Sequence, residues 1–187
     1  MQSVIMRVRN QLRRVYRWLP IRPPPPTFVR VAYTVPRQVV LITARHSGDE
    51  NVWPVDWHLP LSLKPELYGV AIHKGSFGQE LIAKSGAFAV NFVPASWEDK
   101  ILFCGSTSGR LVDKFSEAGL KRGEASTIDA PILTDGLGTL ECLVEQVVDV
   151  GDHLLFVGRV SHSISRHQAP RLHHLDATLG GRGETPG

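Results

Sequence analysis

Apolar positions along this chain fall mostly into short runs of strand character separated by turn chemistry. Val39-Val40-Leu41-Ile42-Thr43-Ala44 is β-branched and reads as a buried strand. Leu67-Tyr68-Gly69-Val70-Ala71-Ile72 and Ala87 through Val93 are two more short apolar runs of this kind. Later, Leu140, Cys142 and Val144 alternate with Glu141, Leu143 and Glu145, and Val150-Gly151-Asp152-His153 separates them from Leu154 through Val160. That spacing predicts a long hairpin. Helical period occurs in two places: Phe77, Leu81 and Lys84 with Ile82 beside them, and the stretch Trp97 to Phe103 after Pro94 and Ser96. A helical turn at Asp113-Lys114-Phe115 ends at Gly119. His46 to Asn51 is turn chemistry, Asn51 to Pro65 is expected to be a loop, and Gly105 to Gly109 is a polar loop. Pro131 and Gly136 bracket a further loop. Several strands, short helices and one long hairpin predict a mostly β protein, an antiparallel barrel with helical insertions.

The two ends differ from this body. In residues 1–19, Val4, Val8, Leu12, Val15 and Leu19 share one helical face and arginines occupy the rest. Such a helix can lie on an anionic membrane surface or pack on a partner. Pro20 and Pro23 to Pro26 then form a stiff linker, closing an arm of residues 1–26, and the domain is expected to run from Thr27 to about residue 180. Beyond Pro170 the chain turns polar and glycine-rich, and Gly180 to Gly187 is expected to lack fixed structure. No Asp or Glu precedes Asp49, whereas nine arginines do, so the formal charge of +3 hides a basic arm on an acidic body. The arm has no recognised nucleic-acid-binding module behind it, which argues against nucleic acid as the main partner. Cys104 and Cys142 lie far apart in apolar surroundings, as reduced core thiols of a cytoplasmic protein do. No apolar run reaches the roughly 20 residues of a membrane span, and arginines interrupt any signal-peptide core.

Chemistry concentrates around His73-Lys74-Gly75-Ser76. Ser76 followed by Gln79 is a capping-box pattern, with Ser76 as N-cap. A strand running through Lys74 into a capped helix makes either an anion site or an ordinary corner with a solvated lysine. His153, His162, His167, His173 and His174 lack the spacing of a zinc site. No G-x-G-x-x-G fingerprint is present, so a nicotinamide would bind transiently rather than on a Rossmann unit.

From about Val35 to Arg182 the order of short motifs resembles the flavin reductase-like family, the FMN-binding split barrel of Greek-key type, in its flavoredoxin-like branch. The landmarks are Val40-Leu41-Ile42-Thr43, Asn51 with Asp56-Trp57, and Pro60-Leu61-Ser62-Leu63-Lys64-Pro65. They continue through Ser76 to Ile82, Phe88-Ala89-Val90-Asn91, Ser108-Gly109 with Asp113-Lys114-Phe115, Leu140-Glu141-Cys142, Gly151-Asp152-His153 and Leu172-His173-His174-Leu175. Two positions depart from the pattern: Lys74-Gly75 stands where arginine is common, and Pro65 is followed by Glu66 instead of a second proline.

The resemblance implies FMN, or FAD, as cofactor, with NADH, NADPH or a protein as electron donor. Free flavin, a monooxygenase or an electron-transfer protein would be the acceptor. Asn51, Asp56, Trp57, His58, Leu59 and Ser62 match the segment that lines the isoalloxazine ring, where N–H donors favour reduction. Trp57 could equally be a core aromatic. His73, Lys74 and Ser76 match the phosphate end. Asn91 could reach the ribityl chain or cap a turn. Ser108, Gly109 and Lys114 could close over the cofactor, or Lys114 could form a surface ion pair with Asp113. Asp56 and His58 suggest acid–base work, yet hydride transfer needs no side-chain base. Similar proteins are homodimers with the flavin near the subunit interface. Two other readings stay open: a flavin-binding electron carrier without nicotinamide activity, and a barrel holding another planar ligand such as haem.

Overall fold

The computed structural model describes residues 36–175 and 178–181. The basic arm, the proline run, the expected domain start at Thr27 and residues 182–187 lie outside the described residues. The strands in chain order are β1 (Arg37–Gln38), β2 (Val40–His46), β3 (Asp49–Val55), β4 (His58–Leu63), β5 (Glu66–His73) and β6 (Ala87–Phe92). They continue with β7 (Arg122–Glu124), β8 (Pro131–Leu133), β9 (Gly138–Val150), β10 (His153–Ser165), β11 (Leu172–Leu175) and β12 (Thr178–Gly181). Three α-helices interrupt them: α1 (Phe77–Ser85), α2 (Glu98–Ser106), preceded by a 3₁₀ turn at Ala95–Trp97, and α3 (Lys114–Glu117).

Seven strands form one antiparallel sheet in the order β3-β2-β6-β9-β10-β5-β4. Its two edges, β3 and β4, are successive in sequence, so the sheet curls until they meet at the link Asp56–Trp57. Val40, Ile42, Val70, Phe88, Val90 and Phe156 fill the interior, under Leu81 and Ile82 of α1. Leu41 and Val39 face the other way, onto Trp97, Ile101, Cys104 and Phe115 of the helices. Burial on both faces explains why β2 is a continuous apolar run and not an alternating one. The long hairpin is β9–β10, turned at Gly151 with φ of 81°. It carries a bulge at Gly158, where a Cβ would run into Cys142 and Phe88.

The expected loop from Asn51 to Pro65 is instead two strands. Pro54 and Pro60 break the strand pattern in the sequence, but β3 and β4 are edge strands, where a missing N–H costs no ladder bond. The turn before them shrinks to Ser47 and Gly48, both with positive φ. Between Pro131 and Gly136, Pro131–Leu133 is strand β8, paired with β7. Helix α2 extends through Gly105 and Ser106, which were expected in the following loop. Gly180 and Gly181, expected to lack structure, belong to β12, whose partner β11 pairs in turn with β1. These strands are two to four residues long, too short to leave a periodicity.

Asn91 is fully buried, and its carboxamide ties four segments together. Nδ2 donates to the Leu41 carbonyl at 3.1 Å and to Thr43 Oγ1 at 3.0 Å. Oδ1 accepts from the Leu133 amide at 2.9 Å and from Thr139 Oγ1 at 3.2 Å. With both atoms saturated, Asn91 has no capacity for a ribityl hydroxyl, and it caps no turn. Asn91→Ala takes the acceptor from the Leu133 amide and one partner each from Thr43, which keeps the Pro131 carbonyl, and Thr139, which keeps Arg166, and we expect a loss of about 2–4 kcal/mol in urea unfolding.

Candidate functional site

A cleft of about 240 Å³ opens beside the Asp56–Trp57 link. The sheet register sets His153, the first residue of β10, opposite His73, the last of β5. The far end of the hairpin, the start of α1 and the seam between the edge strands therefore meet at one place. Val55, Ala71 and Ile72 give the cleft apolar walls, and Trp57, 38% exposed, gives it an aromatic one. The Trp57 indole lies 4.8 Å from the His153 ring at a tilt of 30°. His73 meets His153 edge-on at 5.3 Å. The Trp57 carbonyl accepts from the Ala71 amide at 2.9 Å, which fixes the link against β5. Trp57 is thus a wall of the cleft, not a core aromatic.

At the other end stands the helix start. Ser76 is the N-cap, and its Oγ accepts from the Gln79 amide at 3.3 Å. The Gln79 side chain closes the box one residue early, accepting from the Gly75 amide at 3.1 Å, because the Ser76 amide donates to the His73 carbonyl. The Phe77 and Gly78 amides have no intrahelical acceptor and carry the positive end of the helix dipole. The Trp53 indole packs on this turn, and an ideal Cβ on Gly78 would come within 2.5 Å of it. Only glycine permits that approach. Trp53 also lines the cleft, and its buried Nε1 has no hydrogen-bond partner among the described residues.

Asp56 enters the cleft from the seam. Its Oδ2 accepts from Arg37 Nε at 3.1 Å, Arg37 Nη2 at 3.0 Å and His174 Nδ1 at 2.6 Å. Burial alone would raise the Asp56 pKa, but the bonds from His174 and Arg37 outweigh it and hold the carboxyl below its usual range. Asn51 is buried on β3 with Oδ1 unpartnered among the described residues, and Gly109 passes so close that a side chain there would collide with the carboxamide. Ser108 Oγ accepts from the Arg110 amide at 3.3 Å, and the Arg110 guanidinium lies 4.4 Å from the Phe77 ring centroid. The loop is moored to the start of α1.

Of the residues singled out in the sequence, Asp56, Trp57, His73 and Ser76 line the cleft, while Asn51, Ser108 and Gly109 are not among its lining residues, Gly109 lying against the Asn51 carboxamide. The others point elsewhere. Lys74 lies 2.7 Å from both oxygens of Asp149, so its charge is engaged by β9. Lys114 is buried, neither lid nor surface ion pair: its ammonium donates to the carbonyls of Val52 at 3.1 Å and Cys104 at 2.8 Å. Asp113 instead caps α3 through the Phe115 and Ser116 amides. His58 Nε2 donates to the Gln38 carbonyl at 2.9 Å, which leaves Nδ1 to accept from the Tyr68 hydroxyl at 2.6 Å. Leu59 and Ser62 lie further along β4, outside the cleft. Sequence reasoning missed Trp53, Val55, Ala71, Ile72 and His153. Reading Asp49–Val55 as a strand would have found the first two, since they alternate along it with Val52. Among the described residues, no cluster of His, Cys, Asp or Glu could hold a metal ion, and no helix is long and apolar enough to cross a membrane.

A model of the flavin reductase like domain matches residues 32–178. The reductase subunit HsaB of a flavin-dependent monooxygenase from Rhodococcus jostii is 37% identical over 143 residues, covering 76% of this chain and 70% of that protein. The NADH-dependent FMN reductase AsuE2 of Streptomyces nodosus subsp. asukaensis is 30% identical over 154 residues, covering 80% and 81%. Among solved structures, an FMN-binding protein from Thermus thermophilus with bound 1-cyclohex-2-enone superposes with a TM-score of 0.73 at 27% identity, covering 88% of this chain and 97% of that one.

Burial holds the His58 pKa below its ordinary value, against the opposing effects of the Gln38 carbonyl and Asp56. The unfolded chain then binds a proton that the folded one refuses, so stability is full above about pH 6.5 and falls as pH drops toward the folded value. His58→Gln, which can keep both hydrogen bonds, should flatten this part of a stability–pH curve from urea unfolding.

Proposed function

This chain belongs to the flavin reductase-like family, and on that premise we propose that it binds FMN in the cleft beside Asp56–Trp57. FAD is the alternative form of the cofactor. The chain takes reducing equivalents from NADH or NADPH and passes them to free flavin or to a monooxygenase partner. One observation carries this reading: a cleft with aromatic and apolar walls reaches Ser76, the N-cap of a helix whose positive dipole end lies there. The residues fit the group. Among the described residues Trp53 Nε1 is a buried donor without a partner, and it stands with the Phe77 amide at the helix start as a donor suited to a phosphate, while Trp57, Val55, Ala71 and Ile72 suit a flat ring. The names of HsaB and AsuE2 support the reaction class and the monooxygenase partner.

Bound flavin supplies hydride acceptance and onward electron transfer. The protein's tasks are then physical. Ser76 and the amides of α1 hold the phosphate end, and the apolar walls exclude water from the ring. Trp57, His153 and His73 shape the rim that a nicotinamide must cross. Neither His73 nor His153 need carry a proton for hydride transfer. Two buried free cysteines fit a reducing, cytoplasmic setting where NADH is supplied.

A second copy of the chain completes the assembly in this reading. Leu59, Leu61 and Leu63 on edge strand β4 are 48%, 41% and 87% exposed, next to the cleft wall Trp57. An exposed apolar edge is an aggregation hazard unless it is covered, and a homodimer covers it. Leu61→Glu should yield a monomer in light scattering and weaken flavin binding.

Titration with FMN, followed by quenching of its fluorescence, should show binding, and NADH should be oxidised with the flavin present. Ser76→Ala should weaken FMN roughly 3- to 10-fold, the value of one hydrogen bond and a cap. Binding without NADH oxidation would identify an electron carrier. Absence of flavin binding would overturn the proposal.

A further inference from the structure

Asp56, Arg37 and His174 come from three segments that are remote in sequence. Strand pairing sets Arg37 directly opposite His174 across β1 and β11, so these neighbours converge on the carboxylate from one side. The three hydrogen bonds they give to Asp56 all fall on Oδ2. Among the described residues Oδ1 receives none. Yet Asp56 lines the cleft, and a quarter of its side chain (25%) remains exposed. An ionised carboxylate can only accept, so whatever lies against it must present a donor.

We propose that Asp56 Oδ1 is the acceptor for an imide N–H of the bound ligand, and that Arg37 and His174 are positioning residues that hold it in place. The assignment rests on the flavin reading above and deepens it. An oxidised isoalloxazine ring has a single N–H, at N3, flanked by two carbonyls. Every other polar atom on its edge is an acceptor, which a carboxylate repels. Asp56 therefore selects the orientation that turns the pyrimidine edge toward the seam. Arg37 compensates the carboxylate charge, so the carbonyls beside N3 meet a neutral pair and not a bare anion. The same acceptor discriminates against planar ligands with no imide, haem among them.

The test compares FMN with N3-methyl-FMN by calorimetric titration. The full-length wild-type protein should bind the methylated analogue at least roughly tenfold more weakly, the value of a hydrogen bond to a charged group. In Asp56→Ala the two ligands should bind within roughly threefold of each other. His174→Leu should lose most of the discrimination, whereas His174→Asn, which keeps an N–H donor, should retain it. In the wild-type complex with FMN labelled with ¹⁵N at N3, the imide proton should shift downfield and resist exchange. This last measurement needs no variant to fold. Equal affinities in the wild type, undiminished discrimination in Asp56→Ala, or an imide proton at its free-flavin position would each overturn the assignment and leave the flavin reading standing. A wild-type protein that binds no FMN would overturn both.

Discussion

The structure depends on how a seven-stranded antiparallel sheet closes when its two edge strands are neighbours in sequence. β3 and β4 lie at opposite ends of the sheet order, yet only Asp56 and Trp57 separate them. The covalent link forces the edges together at one end without a hydrogen-bonded ladder between them. Unpaired edges tolerate proline, which is why Pro54 and Pro60 sit there and nowhere inside the sheet. The seam also leaves room that a paired ladder would fill. The cleft lies at that opening, and the two linking residues form part of its wall. Fold closure and site location are thus one constraint.

Long or doubly buried elements could be read in the sequence because their patterns have a physical cause. β2, β5, β6 and the β9–β10 hairpin bury apolar side chains over many residues, and α1 announces itself through Ser76 and Gln79. The edge strands were hidden by their own prolines, since a pattern-based reading treats Pro54 and Pro60 as loop markers. β7, β8, β11 and β12 were hidden by length, as three or four residues cannot show a period of two. Within the site, Trp57 and Ser76 were legible because local sequence dictates their geometry. Asn91 and Lys114 misled because polarity marks a residue as functional only if its hydrogen bonds are unmet. Both are saturated inside the core, which no single sequence can disclose.

Lys114 illustrates the distinction. Burial lowers its pKa, but two carbonyl acceptors make the position tenable, one of them near the exposed end of α2. A cation at a helix C-terminus complements the negative end of the dipole and satisfies an orphan carbonyl. The side chain fastens α2 to β3 and stands behind the wall that carries Asn51 and Trp53. It supports the cleft through packing and never reaches it.

The electrostatics of the cleft follow from where the cations are spent. Lys74 is paired with Asp149, Lys114 serves the core, and Arg37 is engaged with Asp56. At the start of α1 stand backbone and indole N–H groups around a serine, with the Arg110 guanidinium on the Phe77 ring and paired with Glu80. In the proposed reading such a site would hold a phosphate chiefly through fixed dipoles, with Arg110 committed to Glu80 and no fork of arginines around the anion. Dipoles act over a shorter distance than charges, so a phosphate held this way is retained less tenaciously than one in a bidentate clamp. For a protein that hands flavin to another enzyme, modest retention is an advantage, because release must follow reduction. For a pure electron carrier it would be a defect. Lys74, where the resembling pattern commonly has arginine, is paired with Asp149, and in the proposed reading this fits a reductase with exchangeable flavin better than a carrier.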